Sequence, residues 1–178
     1  MTGYIKAYFA GFYDPILGIK NASQKMTTGT ALIFSGVGML ILYALDVVSR
    51  LILLREFMDF SMFLSIALTS FMTYLVLTFG TAGLALLIAK IQGTTRKFPE
   101  LLAASTMAVI PGALVRILWG RFGTILISNA GTFFWYLGTA YIAILLYEHI
   151  KDDMLTGKKQ FFTAALTTIA LLAVSASY

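Results

Sequence analysis

One stretch of this chain, residues 60–91, limits the possible folds more than any other. It is 32 residues long and has a single charge, Lys90, next to its end. A helix of that length extends roughly 48 Å, whereas about 20 residues cross the roughly 30 Å hydrocarbon core of a bilayer. Gly80 and Gly83 offer a bend but no polar loop for a second crossing. We therefore predict one long membrane helix, tilted or protruding, around which the chain is organised.

The composition extends this conclusion to the whole chain. Of its 178 residues, 59% are hydrophobic and 12% are charged, and the mean hydropathy is +0.86, which is too apolar for a soluble domain. No polar stretch is long enough to build a core of its own, so we assign residues 1–178 to a single membrane domain. The chain has no cysteine, which excludes disulfides, thiolate metal sites and cysteine nucleophiles.

The alternation of apolar and polar segments predicts five spans. We place them at about residues 29–48, 60–91, 101–119, 132–147 and 161–177. Gly93 and Pro99 mark a polar connection before the third span, and aromatic residues flank the fourth span as an interfacial belt. The predicted fold is an all-α integral membrane protein: a bundle of five transmembrane helices with an N-terminal interfacial amphipathic helix.

The distribution of positive charge predicts the orientation of this bundle. Nine of the thirteen lysines and arginines fall in the N-terminal segment and the loops near residues 90–100 and 148–159, and four fall on the other side. The positive-inside rule then places the N-terminus in the cytoplasm and, with five spans, the C-terminus outside, most simply in a prokaryotic cell membrane. Because the charges are dispersed between apolar spans, we do not expect nucleic acid as a partner.

The N-terminal segment, residues 2–25, has an aromatic stripe. If residues 4–13 are helical, five side chains share one face: Tyr4, Ile5, Tyr8, Phe9 and Phe12. The segment is too short to span and is rich in rings that favour the headgroup zone, so it can lie on the membrane surface. The stripe can equally pack on the protein's own helices. Asp14-Pro15 is expected to end the helix, because a residue before proline avoids the helical region.

Small residues at four-residue spacing predict helix-packing faces in two spans. These residues are Thr81, Ala85 and Ala89 in the second span and Ala104, Ala108 and Gly112 in the third. Pro111 lies at the centre of the third span and should kink that helix, because it frees the carbonyl of Met107.

Asp46 and Arg116 are the charges deepest within predicted spans, both in the half that faces outside. An ionised group in hydrocarbon costs at least roughly 2.5 kcal/mol unless it is paired, snorkels or lines a water cavity. We expect the two residues to pair and fix the packing of spans one and three. The simpler alternative is that each side chain reaches the outer headgroups.

No pattern in the chain points to catalysis or to a cofactor. His149 is the only histidine, and its neighbours Glu148, Asp152 and Asp153 form a charged loop rather than a convergent metal site. No histidine or acid is placed to activate a serine or threonine in the spans. The segment around Gly93 lacks the phosphate-binding loop pattern. We therefore predict a protein that is not an enzyme, with no catalytic, cofactor-binding or metal-binding residue.

Four sequence segments resemble a known family. They are Asp14-Pro15, G-T-T-R-K-F-P-E-L-L at residues 93–102, A-A-S-T-M-A-V-I-P-G at 103–112 and K-K-Q-F-F-T-A-A-L at 158–166. Together they resemble the Ypt-interacting protein (Yip) domain family in its small prokaryotic form, over nearly the whole chain. The family's loop before the third span and the small residue and proline inside that span correspond here to Gly93, Phe98, Leu101, Leu102, Ser105 and Pro111.

The resemblance implies five spans, a cytoplasmic N-terminus and a non-enzymatic role as scaffold or accessory subunit. Its partners would be the lipid bilayer, other membrane proteins or a second copy. The eukaryotic D-L-Y-G-P motif is reduced here to Phe12-Tyr13-Asp14-Pro15, so Rab GTPase binding is not carried over. The alternative function is a transport component for an ion or small molecule, with a polar path near Asp46, Pro111 and Arg116.

Overall fold

The structure is a computed structural model that describes residues 2–54, 59–91, 97–123 and 130–154, and these residues are almost entirely helical. Within these ranges seven α-helices follow one another: α1 (Thr2–Tyr13), α2 (Leu17–Gln24), α3 (Thr28–Leu54), α4 (Phe60–Leu75), α5 (Thr81–Ile91), α6 (Phe98–Leu114) and α7 (Ala130–Met154). Two π-helical segments, Val76–Gly80 and Val115–Arg121, continue α4 into α5 and extend α6.

Four helices in the described residues are long and apolar enough to cross a membrane. They cover Thr28–Leu54, Phe60–Leu87, Phe98–Arg121 and Ala130–Glu148. These four helices indicate a membrane protein, and the second of them is the single long helix predicted for residues 60–91. The fifth predicted span, residues 161–177, lies outside the described residues, so the five-span count and the orientation in the membrane stay predictions.

Two spans extend further than their apolar segments suggest. The first continues to Leu54, whereas the sequence placed its end near residue 48. The third continues through Arg121, whereas the sequence placed its end near residue 119. In both helices the extra turns carry an arginine, Arg50 or Arg121, that pairs with Asp46. A charge that finds an internal partner does not have to end a span.

The centre of the bundle is α6, not the long helix at residues 60–91. Every residue from Leu101 to Ala113 is buried, and α6 contacts α1, α2, α3, α5 and α7. The second span is the least buried of the four. The reason lies in side-chain size: α6 carries alanines, a serine, a threonine and a glycine, which let neighbouring backbones approach from all sides. Apolarity alone did not distinguish a central helix from a peripheral one.

The helices α1 and α2 form a hairpin that enters the bundle along α3 and α6. Near the start of α1, Tyr4 lines a cavity with Lys25 and Thr30 at the start of α3. One turn later the Tyr8 ring stacks on Phe34 at a centroid distance of 4.3 Å, and its hydroxyl donates to the Phe34 carbonyl over 3.2 Å. At the far end Gly11 packs against Pro111. Helix α1 therefore runs alongside the first half of the first span.

Helix α1 does not lie across the end of the bundle, because its last turn contacts residues well inside two spans. Pro111 is about 20 Å from the start of α6, and Tyr141, which also contacts α1, is about 10 Å from Glu148 at the end of the fourth span. The helix predicted at residues 4–13 exists and ends before Asp14 as expected. It packs on the protein's own helices, which is one of the two alternatives for the stripe, and its position relative to the membrane surface stays a prediction.

The turn of the hairpin satisfies its own backbone groups. The amide of Asp14 donates to the backbone carbonyl of Ala10 over 3.0 Å, and the amide of Gly18 donates to the backbone carbonyl of Asp14 over 3.0 Å. The Asp14 carboxylate accepts from the amide of Leu17 at 3.1 Å and so satisfies the first amide of α2. Internal satisfaction of this kind is what irregular backbone requires inside a membrane protein.

Candidate functional site: an ion-pair cluster between three spans

Asp46 is the centre of a cluster that joins three spans. Its side chain, on α3, is 3% exposed. One carboxylate oxygen accepts from Arg121, with Nε at 2.9 Å, and the other accepts from the Ser70 hydroxyl on α4 at 2.6 Å. The Arg121 contact uses both Nε and Nη2, so the guanidinium is held in a fixed orientation. Spans one, two and three are therefore connected through one carboxylate.

A second arginine reaches Asp46 from the same helix. Arg50 Nε lies 3.3 Å from Asp46 Oδ2, at the i, i+4 spacing that brings two side chains of a helix together. This is a charge contact rather than an aligned hydrogen bond, because Arg50 Nε has no hydrogen-bond partner in the described residues. The carboxylate is thus flanked by two guanidinium groups and a hydroxyl, which offsets the cost of burying it.

Arg116 was predicted to be the partner of Asp46, and the structure gives its guanidinium a different neighbour. Its Cζ lies 3.9 Å from the centroid of the Trp135 ring on α7, a cation–π contact. The side chain is 4% exposed, and within the described residues no ion pair joins it to Asp46. The partner of Asp46 is Arg121, five residues after Arg116 in the third span. The partner therefore differs from the prediction, but spans one and three are still linked.

The π-helical segment explains how two arginines five residues apart reach one region. In an α-helix, positions five apart point about 140° away from each other. Hydrogen bonding from residue i to i+5 brings such positions nearly above one another. Arg116 and Arg121 both lie in the Val115–Arg121 segment, and both face Trp135, with Arg121 Cζ 5.5 Å from the ring centroid.

The proline of the third span is covered by α1. A Cβ built on Gly11 would lie 2.6 Å from Pro111 Cγ and 2.8 Å from the Met107 carbonyl oxygen, the carbonyl that proline deprives of its helical partner. The Gly11 carbonyl, in the last turn of α1, accepts from the Tyr141 hydroxyl of α7 at 2.7 Å. Helix α6 continues on both sides of Pro111, and the kink expected there stays a prediction.

The predicted small-residue faces are buried where the structure describes them. Thr81 and Ala85 on α5 and Ala104, Ala108 and Gly112 on α6 are all buried, and α5 contacts α6. Gly112 meets Gly138 and Ile142 of α7 so closely that no Cβ fits at that crossing. The side chain of Ala89 lies outside the described residues.

The aromatic stripe of α1 is divided by the packing. Tyr4, Ile5, Phe9 and Phe12 are exposed, whereas Tyr8 turns toward α3. The buried face of α1 consists instead of Ala7, Ala10 and Gly11. Whether the exposed part of the stripe contacts lipid stays a prediction.

The buried polar side chains described here form hydrogen bonds and ion pairs between helices. In the α3–α6 interface the Thr106 hydroxyl lies 2.7 Å from the Ser35 hydroxyl and 2.8 Å from the Leu102 carbonyl oxygen. As in the Asp46 cluster, buried polar groups here form hydrogen bonds with one another inside the bundle. Among the side chains that the structure describes, no three from histidine, aspartate and glutamate come together as a metal site would require.

No protein-family model, curated protein or solved structure matches this chain. The resemblance to the Yip family therefore stays an expectation from the sequence, and the function has to be argued from the geometry.

Several site residues were missed at the sequence level although some left a signal. The i, i+4 spacing of Asp46 and Arg50 was present in the printed chain. Gly3, Ala7 and Gly11 have the same four-residue spacing of small residues that predicted packing faces in the other spans. The prediction for this helix used its aromatic stripe instead. Arg121 gave no signal, because only a π-helical extension of the span places it inside.

Proposed function

We propose that this chain is a non-enzymatic integral membrane scaffold or accessory protein, acting on partner proteins or on membrane organisation as the Yip resemblance implies. The observation that carries the proposal is the closed interior around the third span. Gly11 of α1 occupies the space beside Pro111. The residues of α6 from Leu101 to Ala113 are buried against other helices. Because the central helix is closely packed on its neighbours in the part of the chain that the structure describes, we expect the protein to act through its outer surfaces.

The cavity next to the residue before Pro111 is small and offers few polar groups to a water molecule. The cavity between Tyr8, Gly38, Ile110 and Leu114 has a volume of about 40 Å³, with apolar walls. On the polar path predicted for a transport component, Asp46 already binds Arg121 and Ser70. This packing supports a scaffold over a transport path.

The alternative, a transport component, draws its support from the buried charges. Asp46 and Arg116 are 3% and 4% exposed inside candidate spans, where ionised groups are costly and often mark ion pathways. Substrate-dependent flux in liposomes that is lost in Asp46→Asn and in Arg116→Gln would favour this function.

The outer surface offers a defined place to test for a partner. Large apolar side chains of the second span follow one another at four-residue spacing and are exposed: Phe60, Leu64, Leu68, Met72 and Val76. We call these five residues the α4 row; all but Val76 lie on α4 itself, and they form a ridge on which another membrane helix can pack.

The test is mild-detergent purification from the native membrane, combined with a photoreactive amino acid at Leu68 of the α4 row. Ile33 on α3, 66% exposed against 55% for Leu68, is the matched control position. We expect one protein to co-purify at fixed stoichiometry and to be cross-linked from Leu68 but not from Ile33. Recovery of the protein alone, with lipid adducts at both positions, would remove the support for a partner.

A further inference from the structure

A pocket of about 310 Å³ opens at the end of the bundle where α3 ends and α7 begins. Leu53 of α3, Arg121 of the π-helical segment, and Thr132, Trp135 and Tyr136 of α7 line it together with two glycines. We call it the Arg121 pocket. Its volume lies at the lower end of the range for small-molecule sites, so it fits a headgroup-sized ligand rather than a whole lipid.

The Asp46 carboxylate offsets one positive charge beside this pocket, and among the described residues three arginines, Arg50, Arg116 and Arg121, lie in the region of that carboxylate. Arg121 is the one ionisable side chain among the lining residues at neutral pH, and Asp46 fixes its guanidinium at the wall through Nε and Nη2. Arg116 stands behind the Trp135 ring, 3.9 Å from its centroid, and adds a second positive charge close to the pocket. Arginine presents planar paired donors that match the oxygens of phosphate and carboxylate.

The remaining walls suit an anion at a membrane interface. Helix α7 contributes four of the lining residues, Gly131, Thr132, Trp135 and Tyr136. The Thr132 hydroxyl adds a donor. Tryptophan and tyrosine rings such as Trp135 and Tyr136 are typical of the headgroup level.

We propose that the Arg121 pocket binds an oxyanion of the phosphate class, presented by a phospholipid headgroup or as a free ion. The bound anion would lie between the Arg121 guanidinium and the start of α7, with the aromatic rings against its apolar part. This proposal is independent of the scaffold function, because a transport component can hold an anion at the same place.

The test changes the charge of the pocket without touching the Asp46 cluster. Thr132→Asp and Thr132→Asn fill the same space and differ in charge alone. Thr132 is exposed, so neither substitution disturbs buried packing and both variants are expected to fold. Both variants are made with Trp119→Phe, which leaves Trp135 as the only tryptophan and its fluorescence as the reporter.

Binding is measured in maltoside micelles, which contain no phosphate, with two probes: inorganic phosphate and short-chain phosphatidylglycerol. We expect saturable binding to the Trp119→Phe protein and to Thr132→Asn within about two-fold, and binding at least ten-fold weaker to Thr132→Asp. Response to the phospholipid alone identifies a headgroup, and response to both probes identifies a site for free anions. Equal binding by the two Thr132 variants, or no saturable response to either probe, overturns the proposal.

Discussion

At the residue scale, the Asp46 cluster shows why a buried carboxylate is retained in an apolar span. Arg121 and Arg50 compensate the charge of this carboxylate, and the Ser70 hydroxyl donates a hydrogen bond to it. A buried ion pair adds little over apolar packing, but removal of one partner costs about 3–5 kcal/mol because the other charge is left buried and unpaired. The cluster therefore specifies which helices meet.

The choice of arginine can be tested with double-mutant cycles. We predict a coupling of at least about 1 kcal/mol between Asp46→Asn and Arg121→Gln, as expected for residues in one ion pair, and close to zero between Asp46→Asn and Arg116→Gln. The free energy of unfolding in detergent micelles is the measurement. A larger coupling to Arg116 would restore the pair expected from the sequence.

At the element scale, the close approach of α1 to α6 depends on the absence of a side chain at Gly11. The glycine lies against Pro111 and the Met107 carbonyl, where the proline has removed a helical hydrogen bond. The Tyr141 hydroxyl holds the end of the same helix by its Gly11 carbonyl. A helix of twelve residues is marginal by itself, so its stability comes from this docking.

We predict opposite effects for two glycines of α1. Gly11→Ala places a methyl group 2.6 Å from Pro111 Cγ and should destabilise the protein by about 1–3 kcal/mol through overpacking. Gly3→Ala is the control: a Cβ there meets nothing within 4 Å, and alanine should be neutral or stabilise the helix by up to about 1 kcal/mol. Thermal unfolding in micelles compares them, and equal shifts would contradict the docking described here.

At the scale of the whole molecule, the hairpin of α1 and α2 makes the N-terminal segment part of the bundle. Its buried face packs on α6 and its contacts reach Pro111 and Tyr141, near the middle of two spans. The exposed side chains of the hairpin would then meet lipid at depth rather than the headgroup zone. This differs in a measurable way from a helix lying flat on the membrane.

Thiol labelling distinguishes the two positions, because the chain has no native cysteine. Leu17→Cys marks the turn of the hairpin, and Lys25→Cys marks its return, about 12 Å nearer the start of α3 at 1.5 Å per residue. With a membrane-impermeant reagent applied to the side of the N-terminus, we expect Lys25→Cys to react and Leu17→Cys to be protected at least ten-fold until the membrane is dissolved in denaturant. Similar reaction rates at both positions would support the surface helix.

The amino-acid sequence by itself determined the class of the protein and most of its span positions. Runs such as residues 60–91 have only one stable environment, because a helix satisfies its own backbone groups and its side chains avoid water. The burial of Ala104, Ala108 and Gly112 was also predictable, since small residues at four-residue spacing permit close helix packing.

Only the tertiary structure decided which helix is central, which arginine holds Asp46 and where α1 lies. Each of these depends on contacts between residues far apart in the chain: Gly11 with Tyr141, and Asp46 with Arg121. In an apolar chain many helix faces are equally compatible with lipid and with protein, so hydropathy does not rank them. Side-chain size, the π-helical segment after α6 and the pairing of buried charges make that selection.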